Sequence, residues 1–380
     1  MRVSVTKASQ NCDGRCTKAG RDGFRVVRVL IRGRSPSRAG FANCRGRVMA
    51  DIAVDSNSMI ASKTKIAAVK RSGAGDVRFH GLTMLAALIV VLVFVGMMGA
   101  LTEGAWVSIR EFGWSFLTSQ KWNPVTEKFG ALAAIYGTLI TSLLAMVLAV
   151  PVGIGIAIFL TEICPRALRR PIGIAIELLA GIPSIVYGIW GLFVFAPFFQ
   201  EHVQPWIVDA VVDIPILQTI FEGPPYGIGT FTASFILSIM ILPFISAVTR
   251  DVFDTVPATL KESAYAMGCT TWEVIWHVVL PFCRAGVVGG AMLALGRALG
   301  ETMAVTFVIG NSHRIAASLF HPGTTISATV ANEFTEAVGD IYHSALIEAG
   351  LILFFISFVV LAVAQIMLRI LHKRAGGVSG

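Results

Sequence analysis

Arg297 and Glu301 are charged residues inside an apolar stretch, and they are the side chains best suited to chemistry on a charged solute. They lie in Leu-Gly-Arg-Ala-Leu-Gly-Glu-Thr-Met-Ala-Val, midway along an expected membrane span. One charge at the centre of such a span costs about 2.5–3.5 kcal/mol on insertion scales. Their i, i+4 spacing places both on one helix face, so they could neutralise each other or line an ion pathway. The Arg-before-Glu order is the weaker orientation for helix pairing, which favours the pathway.

Other polar residues could share that pathway. Glu177 lies in the expected third span, where it could pair with Arg170 or Arg297 or face water at the membrane boundary. Ser184 and Tyr187 could line the pathway, although a helix–helix hydrogen bond is a simpler role for each. The predicted pathway residues are Arg297, Glu301, Glu177 and Ser184.

Motifs for common enzyme chemistry are absent from the sequence. It has no Gly-x-x-x-x-Gly-Lys-Ser/Thr phosphate-binding loop, so ATP hydrolysis by that route is excluded. It has no His-Glu-x-x-His and no nucleophile elbow, and its seven histidines are scattered. We therefore expect no catalytic residue, no metal site, no cofactor and no enzymatic activity in this chain.

Composition predicts an integral membrane protein. The 380 residues are 55% hydrophobic and 14% charged, and a soluble protein would carry nearly twice that charged fraction. Several apolar runs reach the ~20 residues that a membrane-spanning helix needs. The predicted fold class is all-α, a polytopic membrane protein with six transmembrane helices. The expected spans are about 82–102, 132–159, 172–198, 229–249, 286–310 and 346–370.

Basic residues in the short loops predict the orientation. Arg and Lys are concentrated before the first span, in residues 161–171 and at the C-terminus. By contrast, residues 199–228 contain none, and Arg314 is the only one in residues 311–345. Both termini are therefore predicted to be cytoplasmic.

The chain divides into four segments. Residues 1–48 are strongly basic, and we expect them to be a disordered extension or translated upstream sequence. Because much of the net charge of +8 comes from this segment, no nucleic-acid partner is expected. Residues 49–80 are a cytoplasmic lead-in, and residues 81–131 hold the first transmembrane helix and a periplasmic interfacial segment rich in tryptophan. Residues 132–372 form the main transmembrane domain.

Residues 250–284 predict a helix–turn–helix elbow outside the bilayer. Pro257 suits a first helical position, where its missing N–H is not needed. Gly268 can close that helix in a left-handed conformation. A Thr-x-x-Glu capping box starts a second helix after Thr270, and Pro281 is expected to end it. Such an elbow, between two membrane spans, suits docking to a soluble partner.

The elbow resembles the EAA loop of ABC-importer permeases. The family pattern is Glu-Ala-Ala, three residues, Gly, nine residues and Ile-x-Leu-Pro. The same spacing occurs in this chain, with Ser263 in place of one Ala and Val278 in place of Ile. In that family the loop inserts into a groove on a separate cytoplasmic ATPase. The residues that the resemblance assigns to ATPase coupling are Glu262, Ala264, Gly268, Leu280 and Pro281.

Further runs are similar to the permeases of phosphate-specific ABC importers, which have two homologous permease subunits. The matching runs, within about residues 80–370, begin at Phe129, Ile182, Phe195 and Gly296. The resemblance implies a bacterial inner-membrane location and ATP-driven import of inorganic phosphate. The implied partners are a second permease, two cytoplasmic ATP-binding subunits, a periplasmic phosphate-binding protein and membrane lipid.

The resemblance also implies a transport role for Arg297 and Glu301. A guanidinium offers paired donors to a tetrahedral oxyanion. Phosphate near neutral pH still carries a proton, which Glu301 could accept, whereas sulfate does not. Two alternatives stay open: a permease for another oxyanion such as sulfate or molybdate, and an ATP-independent secondary carrier or membrane sensor.

Overall fold

The computed structural model describes residues 74–211 and 213–375. The basic extension predicted for residues 1–48 lies outside the described residues, as does most of the lead-in predicted for residues 49–80. Nothing about these two predictions is therefore tested.

Helices form the described part of the chain. Within the described ranges, the regular secondary structure is helical apart from an isolated β-bridge between Asn123 and Lys128. The predicted all-α class is therefore confirmed. Nearly all of the helices belong to the compact unit Leu85–Gly380, and the unit Met1–Met84 enters only through the first turns of α1. The helices are α1 (Ala74–Gly104), α2 (Trp106–Phe112), α3 (Trp114–Thr118), α4 (Leu132–Ile163), α5 (Arg166–Ala180), α6 (Ser184–Val211), α7 (Pro215–Phe221), α8 (Thr230–Asp254), α9 (Ala258–Ala266), α10 (Thr271–Leu299), α11 (Met303–Thr306), α12 (Ile326–Glu333) and α13 (Asp340–Ala375).

Six helices in the described ranges are long and apolar enough to cross a membrane, as predicted. Four of the predicted spans agree with the structure to within several residues: the first, second, fourth and sixth. The six observed spans are Arg78–Gly104, Leu132–Ile163, Ser184–Val211, Thr230–Asp254, Thr271–Leu299 and Asp340–Ile370.

The third span was wrongly placed at residues 172–198. The helix is interrupted at Gly181–Pro183, because proline lacks an N–H and pushes the residue before it towards an extended conformation. With 15 residues, α5 is only about 22 Å long, too short for a hydrocarbon core of about 30 Å. The span is instead α6, which follows the interruption.

The fifth span, predicted at residues 286–310, is also displaced. The second elbow helix and this span form one continuous helix, α10, so Pro281 does not end the helix as predicted. A π-helical segment, Ile275–Val279, precedes the proline, and the N–H of Leu280 donates to the carbonyl of Ile275, five residues back. This change in hydrogen-bond register lets the helix continue past a residue that cannot donate.

The core of the bundle lies between α4, α8 and α10. Its fully buried residues include Ala145 and Ala149 of α4, Ile236 and Ile241 of α8, and Ala294 of α10. Small residues let helix backbones approach closely where no hydrophobic force drives association in lipid. These helices therefore position the elbow at one end of the bundle and the loop between α11 and α12 at the other.

The loop between α11 and α12 closes the end of the bundle remote from the elbow. The N–H groups of Thr230 and Phe231, at the start of α8, donate to the carbonyls of His321 and Leu319. At the end of the same loop, the N–H of Ile326 donates to Thr138 Oγ1 over 3.0 Å. The loop is therefore fixed to α8 and α4 through its backbone.

Candidate functional site

The predicted elbow is present, with two differences: its second helix continues past Pro281 into the fifth span, and its first helix begins one residue later than predicted. Pro257 is the residue before the helix and not its first residue, since α9 begins at Ala258. Gly268 has φ +90°, and the N–H of Cys269 donates to the carbonyl of Ala264 over 3.2 Å. This is the closure by a left-handed glycine that the sequence predicts.

The predicted capping box is confirmed at the start of α10. Glu273 N–H donates to Thr270 Oγ1 over 3.4 Å, and Thr270 N–H donates to Glu273 Oε2 over 2.7 Å. Two otherwise unpaired N–H groups at the helix start are thus satisfied by neighbouring side chains. The turn between α9 and α10 is fixed by local chemistry on both sides.

The five predicted coupling residues differ in exposure. Ala264 is buried, in a cluster with Phe253, Val256 and Val274 that holds the elbow to the bundle. By contrast, Glu262, Gly268 and Pro281 are exposed, and Leu280 is half-buried. Ala264 therefore anchors the elbow, while exposed positions remain available for contact.

The outer side of the elbow carries an exposed apolar surface, here called the elbow face, formed by Tyr265, Met267, Trp272 and Trp276. Met267 is 79% exposed and Trp272 is 64% exposed. The two tryptophan rings lie edge to face with centroids 5.5 Å apart. Tyr265 and Met267 precede the fifth membrane-length helix, and Trp272 and Trp276 lie in its first two turns. Exposed clusters of large apolar side chains are typical of surfaces that bind another protein or a membrane.

An ion pair that the sequence does not reveal holds α9 to the end of α4. Lys261 Nζ lies 2.5 Å from Glu162 Oε1, and the Glu162 side chain is only 7% exposed. The two residues are 99 positions apart, so no local spacing could have indicated the contact.

The predicted pathway residues Arg297 and Glu301 lie on either side of a helix end. Because α10 ends at Leu299, Glu301 lies beyond the helix and the two side chains do not share one helix face as predicted. No ion pair joins them among the described residues. Arg297 is exposed, and the described part of the chain provides it with no hydrogen-bond partner.

The segment after the helix end is held in place by its neighbours. The carbonyl of Glu301 accepts a hydrogen bond from Ser327 Oγ over 2.8 Å, which links the break to α12. An open pocket of about 340 Å³ adjoins the break and is lined by Thr302, Ser327 and Gly350 among others. Glu301 is therefore a half-buried carboxylate just beyond the end of α10 and not part of a continuous span helix.

The structure places Ser184 near this break. Ser184 is the first residue of α6 and is half-buried. One turn later, Gly188 lies so close to α11 that an added Cβ would be 2.9 Å from the carbonyl oxygen of Met303. The beginning of α6 therefore packs against the residues that directly follow Glu301.

Glu177 is not in a membrane span. It lies on α5 and accepts a hydrogen bond from Arg250 Nη2 over 2.7 Å, so its partner is neither Arg170 nor Arg297. The prediction of a buried intramembrane charge was wrong because the third span begins after, and not before, the Gly181–Pro183 interruption.

A second site that the sequence did not indicate surrounds Glu333 at the end remote from the elbow. Its carboxylate accepts hydrogen bonds from Trp122 Nε1 and Tyr342 OH, each over 2.6 Å, and lies 3.0 Å from His313 Nε2. The Trp122 and His313 rings are stacked with centroids 5.2 Å apart. Burial alone would raise the pKa of Glu333, but the hydrogen bonds from His313, Tyr342 and Trp122 outweigh it and hold this pKa below its usual range.

The fold and the elbow together define a helical membrane protein with an exposed apolar surface at the elbow between two of its membrane-length helices. The chain belongs to the family of binding-protein-dependent transport system inner membrane components, whose model matches residues 149–377.

Two curated relatives cover most of the chain. A phosphate transport system permease protein PstC from Mesorhizobium japonicum is 64% identical over 82% of this chain and 95% of its own length. A protein of the same name from Pasteurella multocida is 56% identical over 79% of this chain and 94% of its own.

A solved structure supports the fold. A chain of a bacterial ABC transporter involved in the import of the acidic polysaccharide alginate aligns with a TM-score of 0.52 at 18% identity. The alignment covers 78% of this chain and 97% of that one. At this identity the likeness concerns the fold alone.

Proposed function

We propose that this chain is a permease subunit of an ATP-driven importer of inorganic phosphate in a bacterial inner membrane. It forms the membrane pathway with a second, homologous permease. Two cytoplasmic ATP-binding subunits drive it, and a periplasmic protein delivers phosphate. The names of the relatives at 64% and 56% identity support the substrate.

The observation that carries the proposal is the exposed Arg297 at the end of α10. A charge within a membrane span requires a partner, water or a pathway, and the described residues offer Arg297 no partner. A guanidinium binds tetrahedral oxyanions through paired donors. Arg297 therefore faces the pathway between the two permeases and contacts phosphate as it passes.

Glu301 contributes selectivity in this mechanism. The interruption after Leu299 leaves its half-buried carboxylate close to Arg297 in the sequence but not paired with it. Monohydrogen phosphate and dihydrogen phosphate can donate a hydrogen bond to this carboxylate, whereas sulfate would only be repelled by it. Much of the selectivity of the whole importer would still reside in the periplasmic protein.

The elbow face is the surface that binds the ATPase. Its apolar side chains are exposed where the fifth membrane-length helix begins, and they are available to enter a groove on a soluble protein. Glu262 lies on the exposed side of α9 and borders that contact. Closure of the ATP-binding subunits would move the elbow and switch the pathway between outward-open and inward-open states.

The opposite end of the bundle receives the periplasmic protein. There the loops before α8 and α12 enclose an open groove of about 640 Å³, with Gln218, Glu222, Ser318 and His321 among its lining residues. In this proposed orientation the elbow and both termini lie on the cytoplasmic side, which is the side that the basic residues of the short loops favour.

Uptake of labelled phosphate at low concentration tests the proposal. Cells lacking this gene are compared with cells in which it is restored, in the presence of excess sulfate or molybdate. We expect restoration of phosphate uptake that neither competitor reduces. Restored uptake of sulfate or molybdate with unchanged phosphate uptake would overturn the substrate, and uptake that follows an ion gradient without the ATPase would overturn the ATP-driven mechanism.

A further inference from the structure

Two helix ends that face each other carry charges of the sign that their own helices disfavour. Arg169 lies in the first turn of α5, which has no acidic residue, and Asp254 lies in the last turn of α8, which has no basic residue. The partial charges of a helix favour acidic groups at its beginning and basic groups at its end. Yet Arg169 Nη2 lies 2.5 Å from Asp254 Oδ1. The two charges therefore serve the contact between the helices and neither helix alone.

A second ion pair joins the same two helices. Two turns further along α5, Glu177 Oε1 lies 2.7 Å from Arg250 Nη2, which also contacts Asp251 at 3.2 Å. The guanidinium passes over Gly173, where an added Cβ would lie 2.9 Å from Arg250 Nη1. Two ion pairs of opposite polarity thus fix both the contact and the direction of α5 along the end of α8. We call this pair of contacts the α5 clasp.

The α5 clasp contributes little to stability as such. The side chains of Arg169, Asp254 and Glu177 are between 38% and 50% exposed, and solvent-exposed ion pairs are weak. What the clasp does provide is a charged connection, at two points, between two helices that also pack against each other. Asp254 is the last residue of α8, and only three residues separate it from α9, so the clasp holds α5 directly beside the elbow.

From α5 the chain leads to the proposed pathway. After the interruption at Gly181–Pro183, Tyr187 OH of α6 donates to the carbonyl of Leu179 in α5 over 3.0 Å, which bridges the two helices. Gly188 then packs against Met303 and Phe307, close to the helix end that carries Glu301. A displacement of α5 would therefore be passed to the residues beside Glu301.

We propose that α5 is a coupling lever, and that Arg169, Asp254, Arg250 and Glu177 are positioning residues that transmit the movement of the elbow to the pathway. The proposal rests on the proposed function, in which an ATPase moves the elbow. Without the clasp, α8 and the elbow would move while α5 and α6 stayed behind. ATP hydrolysis would then continue without transport.

Charge exchange tests the lever in the complete importer reconstituted in lipid vesicles, with the periplasmic protein present. Arg169→Asp and Asp254→Arg each place like charges opposite one another. We expect phosphate uptake to fall at least tenfold in each, with the ATP hydrolysis rate retained. The double variant restores the pair with reversed polarity and places each charge at the helix end that favours it. We expect its uptake to return to at least half the original rate.

Arg170→Asp is the matched control. Arg170 neighbours Arg169, is exposed, and has no ion-pair partner in the part of the chain that the structure describes, so its replacement should leave uptake unchanged. Normal uptake in Arg169→Asp, or a double variant no better than the single ones, would overturn the lever. A loss of uptake together with ATP hydrolysis would indicate a folding or docking role instead.

A distance measurement separates failure of the lever from failure of the proposed function. Spin labels are placed at Leu178→Cys on α5 and Phe358→Cys on α13, both exposed positions, after replacement of the six native cysteines by serine. The lever predicts a distance change on trapping with ADP and vanadate in the original chain and the double variant, but not in Arg169→Asp.

This distance measurement needs no phosphate. If the original complex transports no phosphate but its labels still move, the substrate is wrong and the lever holds. If trapping causes no movement in the original chain, the lever is wrong.

Discussion

Lys261 and Glu162 form an ion pair that fixes the first elbow helix to the end of the second span. The distance between Nζ and Oε1 is 2.5 Å, and the Glu162 side chain is almost completely covered. Removing one partner of such a pair leaves a covered charge without compensation, which typically costs 3–5 kcal/mol. Removing both partners leaves no unpaired charge.

We therefore expect Lys261→Met to lower the free energy of unfolding by roughly 3 kcal/mol, because Glu162 loses its partner. The double variant Lys261→Met/Glu162→Met should lose clearly less. Thermal unfolding of the purified chain in detergent measures both. Equal losses in the single and double variants would show that the packing of the two side chains, and not their charges, holds the elbow.

The Glu333 site predicts a pH dependence of stability. Its pKa is lowered in the folded chain by hydrogen bonds from His313, Tyr342 and Trp122 that outweigh the effect of burial. A lowered folded pKa gives stability that is present above the ordinary carboxyl pKa of about 4.3 and lost as the pH falls through the lowered value. We expect Glu333→Gln to be less stable than the original chain at pH 7 and to lose less on acidification.

Glu336→Gln is the control for this prediction, since Glu336 lies three residues away but is exposed. Thermal unfolding of the three proteins between pH 7 and pH 3 gives the comparison. The assignment fails if Glu333→Gln and Glu336→Gln show the same pH profile.

Hydropathy predicts the number of membrane spans in this chain but not the points at which its helices are interrupted. Length and apolar content predict the number of spans, and local spacing predicts the turn at Gly268 and the capping box after Thr270. The third span was misplaced because residues 172–198 are apolar enough to hide an interruption at Pro183. The helix end before Glu301 was missed because two glycines in a small-residue span are no clear signal.

Contacts between distant parts of the chain were the least predictable. Glu177 pairs with Arg250, 73 positions away, and the three groups around Glu333 come from separate segments. Such contacts depend on how helices pack, which is determined by side-chain shape and not by periodicity.

Because α10 ends between Arg297 and Glu301, the role of each residue in the proposed pathway can be tested by a separate substitution. Hydrogen bonds to charged groups contribute about 1.5–3 kcal/mol, a factor of roughly 10–100 in rate. We expect Arg297→Lys and Glu301→Gln each to reduce phosphate uptake by about this factor, since the first removes the paired donors and the second removes the charge. Glu301→Gln should in addition discriminate less against sulfate. Intact uptake and intact sulfate exclusion in Glu301→Gln would end the selectivity hypothesis.

Ser327→Ala should have a smaller effect on the same site. The Ser327 hydroxyl donates to the carbonyl of Glu301 and positions the segment without reaching the pathway. Loss of one such hydrogen bond is worth about 1 kcal/mol, so we expect uptake to fall roughly fivefold. The inhibition by sulfate should stay as in the original chain, and a change in it would mean that Ser327 contacts the anion directly.

A side chain at position 268 would strain the backbone but would not collide with any neighbouring atom. The φ of +90° at Gly268 is a conformation that side chains with a Cβ rarely adopt, yet an added Cβ would meet nothing within 4 Å. We expect Gly268→Ala to destabilise the chain by about 1 kcal/mol. Gly268→Asn should cost less, because asparagine tolerates left-handed conformations better. Unfolding of the purified variants measures the difference, and equal stability of the two variants would contradict it.

Gly137 and Gly155 lie on the same span and predict opposite results. A Cβ at Gly137 would collide with the backbone carbonyl of Thr324, in the loop that closes the end of the bundle, and backbone cannot easily move aside. A Cβ at Gly155 would meet nothing within 4 Å. Overpacking typically costs 1–3 kcal/mol, whereas alanine is favoured over glycine in a helix by up to about 1 kcal/mol. We therefore expect Gly137→Ala to destabilise the chain by at least about 2 kcal/mol and Gly155→Ala to be neutral or stabilising. Thermal unfolding of both variants under one condition measures the two changes in stability. Equal changes in the two variants would mean that the loop does not approach α4 closely in the folded protein.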